Sequence, residues 1–269
     1  MNRYVVLIVF FLIAQKMNAQ ELFVYTEPAS NMPAKSIGAR LTNTWMRESG
    51  TGKTNYHLLP EVMLGINKQW MFHAEGFISN RNGNLSAEGI GLYTKYRFLS
   101  VDNVHSHFRM AGFARYSINN SDIHQEEIET NAHNSGYELG AIATQLLNKV
   151  ALSTSVSYEK AVDNGNGNKF PIGQSNHAVN YTLSVGKLML PKAYRNYNQV
   201  NLNLMVELLG QTLGNGKSFL DMAPAAQLII NSQARIDFSY RKQLYSDVLR
   251  TAPNGFLLRL EYTFFNVWK

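Results

Sequence analysis

Apolar and polar residues alternate along most of this chain, and no other feature restricts its fold so strongly. About twelve alternating runs lie between residue 36 and the C-terminus. In one run, apolar residues occupy every even position from Val200 to Leu208, with Asn201 and Glu207 among the residues between them. A period of two indicates a β-strand whose two faces meet different media. An apolar outside and a polar inside are the pattern of a transmembrane β-barrel.

The runs predict twelve strands, each close to the roughly 9–11 residues that cross a bilayer at a tilt. We expect them near residues 36–47, 56–66, 69–79, 86–99, 106–118, 135–147, 150–161, 177–189, 199–212, 218–230, 234–245 and 255–267. Short turns follow several even-numbered strands, whereas longer polar segments, notably 119–134 and 162–176, follow odd-numbered ones. This asymmetry is typical of outer-membrane barrels. The predicted fold class is therefore all-β, a transmembrane antiparallel up-and-down barrel of about 12 strands.

Two short turns also predict how neighbouring strands pair. With Asn148-Lys149 as a two-residue turn, Leu147 lies opposite Val150, and the apolar faces of the two strands coincide. With residues 231–233 as a three-residue turn, the apolar faces of the strands at 218–230 and 234–245 coincide in the same way. A shift of one residue would move every apolar side chain to the other face, so both registers are strongly specified.

The N-terminal region does not follow the alternation. Residues 1–20 have a basic residue near the start, an apolar core and a possible processing region at Asn18-Ala19-Gln20, as in a secretory signal peptide. The apolar core is too short to span a bilayer. Residues 21–35 contain Pro28 and Pro33, and we expect a periplasmic N-terminal tail here. The alternative is a short plug that enters the lumen. The predicted outer-membrane barrel then covers residues 36–269.

Composition excludes several other classes of protein. The chain has no cysteine, which rules out disulfides and a lipid anchor on cysteine. The chain has a formal net charge of +6 but no dense run of basic residues, so nucleic acid is not an expected partner. No glycine-rich phosphate loop or dinucleotide motif occurs, and we expect no cofactor.

The face assigned to the lumen is rich in charge. The candidate functional site is a lumen charge cluster of Glu138, Glu159, Arg109, Arg115, Glu207, Arg235, Asp237, Arg241, Arg259 and Glu261. The same face holds Arg40, His57, Glu61, His73, Glu75, Lys95 and Arg97. Buried charges need partners or water, and a twelve-stranded barrel is of intermediate width. We therefore expect ion pairs to leave a narrow path through the lumen or to block it.

One predicted contact within the cluster requires an explanation. The register set by the turn at 148–149 puts Glu138 directly opposite Glu159. Two facing carboxylates repel each other unless a cation lies between them or one is protonated. Arg109 or Arg115 on the fifth strand would supply that charge, which predicts a structural Glu–Arg–Glu bridge. A cation site and a gate are the alternatives.

The histidines do not form a recognised metal pattern. His105-Ser106-His107 lies near a turn without a carboxylate or a third ligand. His57 and His73 are both predicted to point inward near Glu61, but the spacing is not that of a known zinc site. We therefore predict no metal site.

One short element raises the question of enzymatic activity. His133-Asn134-Ser135-Gly136 resembles the His-x-Ser element of outer-membrane phospholipase A, also a twelve-stranded barrel. His133 and Ser135 share a face, the one assigned to lipid, and no third residue is found to orient the histidine. A lipid-modifying enzyme is therefore only the third hypothesis, and the chain is predicted not to be an enzyme.

Two early strands carry a resemblance to a broad class of bacterial outer-membrane barrels. The run from Pro60 to Ile66 and the run from Gly91 to Phe98 are similar to the "PE-x-x-x-G" and "GLY-x-K-Y-R" strands of phenol-degradation (MetA-type) outer-membrane proteins. The end of the signal segment at residues 18–20 resembles those of exported Bacteroidota proteins. The resemblance implies a small barrel with a transport role. The chain lacks the long N-terminal hatch of the fatty-acid channels.

These features together lead to three ordered hypotheses of function. The first is a non-catalytic barrel that passes or binds small solutes through a narrow charged lumen. The second is a structural or accessory subunit of a larger outer-membrane assembly, with a blocked lumen. The enzyme is the third. In each case we expect a monomer in a Gram-negative outer membrane with both termini periplasmic. Its expected partners are outer-membrane lipids, lipopolysaccharide and, in the second hypothesis, other outer-membrane proteins.

Overall fold

Twelve antiparallel strands form a closed barrel in the computed structural model, which describes residues 23–81, 83–103, 106–191 and 198–268. The strands are β1 (Ser36–Arg47), β2 (Thr54–Gly65), β3 (Trp70–Ser79), β4 (Ser86–Asp102), β5 (Ser106–Asn119), β6 (Gly136–Leu147), β7 (Val150–Ala161), β8 (His177–Leu190), β9 (Val200–Leu213), β10 (Ser218–Ile230), β11 (Ala234–Ser246) and β12 (Asn254–Phe264). Each strand pairs with its neighbours in sequence, and β1 closes the barrel against β12. The predicted fold class is confirmed. The predicted signal peptide, residues 1–20, lies outside the described residues.

The outer surface of the barrel is apolar because the alternation directs one face of each strand outward. Leu139, Val156 and Val206 are 54%, 54% and 45% exposed, whereas Asn203 and Glu207 on the opposite face of β9 are 1% and 0% exposed. Such an outer surface fits hydrocarbon, and such an interior fits a polar lumen. No helix in the described part of the chain is long and apolar enough to cross a membrane.

The two predicted hairpin registers are confirmed. Leu147 pairs with Val150 across the turn between β6 and β7, and this register places Glu138 directly opposite Glu159. In the hairpin of β10 and β11, Ile230 pairs with Ala234.

The two ends of the barrel differ. One end, the turn end, holds the start of β1, the end of β12 and the short turns at 148–149 and 231–233. The other end, the loop end, holds the longest connections, 120–135 and 162–176. Exposed aromatic rings lie near both ends, including Trp45 and Tyr116 at the loop end and Trp70 and Phe98 at the turn end. Their amphipathic rings suit the boundary between lipid and water.

Residues 23–35, here called the plug, lie inside the barrel. Eight of these thirteen residues are buried. Phe23 packs against the inward-facing Met205 of β9 and Leu257 of β12, and Met32 packs against Met63 and Met71 near the turn end. The expectation of a periplasmic tail is therefore wrong for these residues. Apolar side chains on the inner wall offer the segment a surface to bury against, and it occupies the lumen.

A second segment enters the lumen from the loop end. Residues 120–135, here called the lumen loop, fold inward between β5 and β6. Ile128 of this loop is 1% exposed and packs against Leu213, Phe219 and Val248. The side chain of Gln211 on β9 binds both the backbone N–H and the carbonyl of Ile128, at 3.0 and 2.8 Å. The lumen is therefore occupied from both ends.

Candidate functional site: a chamber inside the lumen

A cavity of about 310 Å³ lies between the plug and the lumen loop. It has room for roughly ten water molecules. Tyr25 and Glu27 of the plug, Ile128 and Glu129 of the lumen loop, and charged residues of the wall such as Arg259 line it. We call this cavity the chamber. A small polar solute fits its size and its charged lining.

Glu207 on β9 anchors the first part of the plug. Its two carboxylate oxygens accept hydrogen bonds from the backbone N–H groups of Val24, Tyr25 and Thr26, the shortest at 2.8, 3.1 and 2.7 Å. The hydroxyl of Ser184 is a further partner at 3.1 Å. Hydrogen bonds to an ionised acceptor are stronger than those between neutral groups. One buried side chain therefore holds three consecutive residues of the plug.

Two cationic side chains bind the plug from other parts of the wall. The fully buried ammonium of Lys95 on β4 donates to the carbonyl of Pro28 at 2.7 Å and lies 3.3 Å from the carboxylate of Glu27. Arg259 on β12 donates to the carbonyl of Val24 at 2.7 Å. Polar contacts, which can be exchanged for water, thus add to the apolar packing that holds the plug.

The lumen loop is anchored by an arginine that binds two carboxylates. Arg250 donates to Glu127 at 2.7 and 2.9 Å and to Asp221 on β10 at 2.7 and 2.8 Å. Its guanidinium lies 3.8 Å from the ring centre of Phe219. Arg241 on β11 also binds both carboxylates, at 3.1 and 2.6 Å. Burial alone would raise the pKa of Glu127, but Arg250 and Arg241 outweigh it and hold that pKa below its ordinary value.

Glu138 and Glu159 face each other but do not share an arginine, as the predicted bridge required. Arg115 donates to Glu138 at 2.8 Å, and its second carboxylate neighbour is Glu75, at 3.6 Å. Glu159 instead accepts hydrogen bonds from the backbone N–H and hydroxyl of Thr130, at 2.6 and 2.7 Å. The prediction that one arginine joins Glu138 to Glu159 is wrong, because the lumen loop supplies the donors for Glu159.

The other alternative for that bridge, Arg109, serves the plug. It donates to the hydroxyl of Ser30 at 2.9 Å and to Asp102 at 3.0 Å. The backbone N–H of Ala29, the residue before Ser30, donates to the hydroxyl of Thr144 at 2.9 Å. Arg109 therefore belongs to the contacts that hold the plug near the turn end.

The remaining predicted charges form a network where the barrel closes. Arg235 on β11 lies 3.1 Å from Asp237 and 2.9 Å from Glu261. Glu261 on β12 also accepts from Arg40 on β1 at 2.8 Å, and Arg259 lies 3.9 Å from Asp237. This network links β11, β12 and β1 on the inside of the barrel.

Several residues of the site were not predicted. Asp221 lies on the inward face of β10, and the alternation was sufficient to place it there. Glu27, Glu127 and Arg250 lie in segments without periodicity, so the sequence held no comparable signal. Apolar residues such as Met205 on a face otherwise polar were the available sign that something covers the inner wall.

His133 and Ser135 do not have the geometry of a nucleophile and its base. Both are buried at the end of the lumen loop, just before β6, at 8% and 5% exposure, rather than facing lipid as expected. The hydroxyl of Ser135 bonds to the backbone N–H and carbonyl of Asn119, at 2.8 and 3.1 Å. The ring of His133 lies 4.5 Å from that of His57 and 3.6 Å from Glu129. Each side chain is thus bound by other partners.

The inward histidines also differ in their surroundings. His57 contacts His133, whereas the Nδ1 atom of His73 lies 3.5 Å from Glu61. His105, considered above together with His107, lies outside the described residues.

Comparison with known proteins places the fold among outer-membrane barrels. No protein-family model and no curated protein matches the chain. An outer-membrane channel from Pseudomonas putida F1 has a similar structure, with a TM-score of 0.58 over 90% of this chain and 99% of that one, at 9% sequence identity. The NanC porin gives a TM-score of 0.48 over 85% of this chain and 98% of that one, at 10% identity. The chain has the fold of a bacterial outer-membrane barrel.

Proposed function

We propose that this chain is a non-catalytic outer-membrane channel for small polar solutes and that the plugged barrel is its closed form. The observation that carries the proposal is the charged chamber that lies between two segments that are not part of the barrel wall. A solute that crosses the lumen must pass this chamber and must displace the plug. That an outer-membrane channel shares the fold supports the proposal by analogy.

Part of the binding of the plug can be exchanged for water. Release would expose the apolar contacts of Phe23 and Met32 with the inner wall, and this cost favours the closed form. Glu207, Lys95 and Arg259 bind backbone groups of the plug, and water can replace each of these partners. Release of the plug would join the chamber to the turn end of the barrel.

The setting of the channel follows from the same features. The apolar outer surface is matched to outer-membrane lipids and lipopolysaccharide, and the signal segment at residues 1–20 would direct export. We infer a monomer with both termini in the periplasm, so that the plug closes the periplasmic side and the lumen loop faces the exterior.

Conductance in planar bilayers tests this function. The full chain should be silent or open only rarely, whereas a variant lacking residues 23–33 should conduct steadily. Glu207→Gln should open intermittently, because a neutral amide offers one acceptor oxygen where the carboxylate offers two. Asp122→Asn, at an exposed carboxylate of the lumen loop, is the matched control and should behave as the full chain does.

The accessory-subunit hypothesis is favoured by one observation, the occupied lumen. It makes the opposite prediction for the truncated variant. If that variant folds as a barrel and stays silent, the channel proposal fails and a structural role within a larger outer-membrane assembly becomes the better account.

A further inference from the structure

Three lumen residues form a compact group on the wall of the chamber. One ligand atom from each of Glu61, His73 and Glu75 can be chosen so that all three lie within 4.8 Å of one another. Glu61 on β2 pairs directly with Glu75 on β3. His73 lies two residues before Glu75 and therefore on the same inward face. We call these three residues the triad.

The triad is buried and its polar groups are incompletely satisfied. The side chains of Glu61, His73 and Glu75 are 9%, 1% and 5% exposed. Two carboxylates that face each other across a strand pair repel. The Oε2 atom of Glu75 has no hydrogen-bond partner among the described residues, and neither has the Nε2 atom of His73, the ring nitrogen other than the one that faces Glu61. Buried polar atoms of this kind are rare in folded proteins and call for an explanation.

Two arginines lie near the triad, and each has a closer partner elsewhere. Arg40 lies 3.3 Å from the carboxylate of Glu61 but 2.8 Å from that of Glu261. Arg115 lies 3.6 Å from the carboxylate of Glu75 but 2.8 Å from that of Glu138. Both guanidinium groups therefore keep a strong ion pair if the triad carboxylates turn towards another cation.

We propose that the triad binds a divalent transition-metal ion of the zinc class. An imidazole together with carboxylates suits zinc, whereas magnesium and calcium prefer oxygen ligands alone. The 3.5 Å between the Nδ1 atom of His73 and the Oε2 atom of Glu61 is close to the roughly 3.4 Å between two ligands of a tetrahedral zinc ion. The proposal departs from the sequence-based expectation of no metal site.

The chamber gives the ion its route of entry. Glu61 and Glu75 line the chamber. An ion can therefore reach the triad without disturbing the barrel wall. With three protein ligands, one coordination position remains for water or for a solute in the chamber. The site does not depend on conduction, and its test is separate from that of the channel.

Calorimetric titration of the full chain in detergent, after removal of metal by a chelator, tests the proposal. Zn²⁺ should bind at one site per chain, and Mg²⁺ should not bind measurably there. His73→Gln and Glu75→Gln should each weaken Zn²⁺ binding by more than about tenfold, because each removes a ligand. His124→Gln, at a histidine of the lumen loop whose side chain is 47% exposed, is the matched control and should leave it unchanged.

A spectroscopic measurement covers the case in which a triad variant fails to fold. Co²⁺ added to the unaltered chain should give the strong visible absorption of a four-coordinate nitrogen and oxygen site, and Zn²⁺ should abolish it. Absence of Zn²⁺ binding, binding that both triad variants retain, or a weak six-coordinate Co²⁺ spectrum would each overturn the proposal.

Discussion

Glu129 of the lumen loop is a carboxyl group whose surroundings oppose its ionisation. Burial, and after it the nearby carboxylate of Glu127, raises the pKa of Glu129 from 4.5 to about 7. Glu126, three residues earlier, has the opposite shift, because a hydrogen bond from Lys217 lowers its pKa. Two carboxyl groups of one loop should therefore titrate in clearly separate ranges.

The sign of the pH dependence follows from linkage. The docked loop holds a proton on Glu129 that an undocked loop would release near pH 4.5. The contribution of this proton to docking is fully present below pH 4.5 and is lost as the pH rises through about 7. Glu127 has a lowered pKa, and its contribution is lost only at lower pH. Between about pH 5 and 8, docking depends on Glu129 and, with the opposite sign, on His133 of the same loop, because burial holds the pKa of His133 well below its ordinary 6.5.

We predict that the side-chain carboxyl carbon of Glu129 titrates near pH 7 in an NMR experiment on the folded barrel, while that of Glu126 titrates below 4.5. Ionisation of Glu129 should make the loop open more often, and Glu129→Gln should remove that part of the pH dependence and leave the opposite contribution of His133. A midpoint for Glu129 at its ordinary value would show that the loop does not enter the lumen as described.

At the scale of single residues, the sequence predicts which side chains point inward but not what they bind. Period two is a local property, so the placement of Glu138 opposite Glu159 follows from a single turn. The partner of Glu159 is Thr130 in a loop without periodicity, and that of Arg109 is Ser30 in the plug. Such partners depend on segments that no local pattern positions.

The side chain of Arg250 is a main link between the lumen loop and the barrel wall. Arg250 binds Glu127 of the loop and Asp221 of β10 through four hydrogen bonds. Its removal leaves both buried carboxylates to Arg241. Breaking a buried ion pair by removing one partner costs about 3 kcal/mol or more.

We predict that Arg250→Met speeds hydrogen exchange of the Ile128 and Thr130 amides by roughly a hundredfold, the equivalent of about 3 kcal/mol of local opening. In the docked loop these two amides bind Gln211 and Glu159, so their exchange reports on docking. Arg47→Met, at an exposed arginine of the loop end, should leave both rates unchanged. Equal rates in the two variants would contradict the anchoring role of Arg250.

At the scale of elements, strands were predictable, whereas the plug was only the alternative to a periplasmic tail. The predicted range 150–161 coincides with β7, because alternation and a two-residue turn define both of its ends. The plug depends on contacts such as that between Val24 and Glu207, which are 183 residues apart in the sequence. Its short, proline-containing sequence resembles a tail until the apolar residues of the inner wall are known.

The whole molecule consists of a wall between two media and two segments that fill the space it encloses. The outer face meets hydrocarbon, as the exposed Leu139 and Val206 require. The inner face binds the plug and the lumen loop through charged side chains, and the chamber remains between them. The proposal of a closed channel rests on the plug lying inside the barrel.

Disulfide formation between the plug and the wall tests that claim most directly, since the chain has no cysteine of its own. The hydroxyl oxygens of Thr26 and Ser184 lie 2.7 Å apart, and sulfur atoms in their place would be within reach of a disulfide of about 2.05 Å. Thr144→Cys with Ser153→Cys, whose hydroxyls are 2.8 Å apart on β6 and β7, is the wall control. We predict that Thr26→Cys with Ser184→Cys crosslinks as fully as the control in the folded barrel. If the control pair crosslinks and the pair between the plug and the wall does not, the result would contradict a plugged lumen.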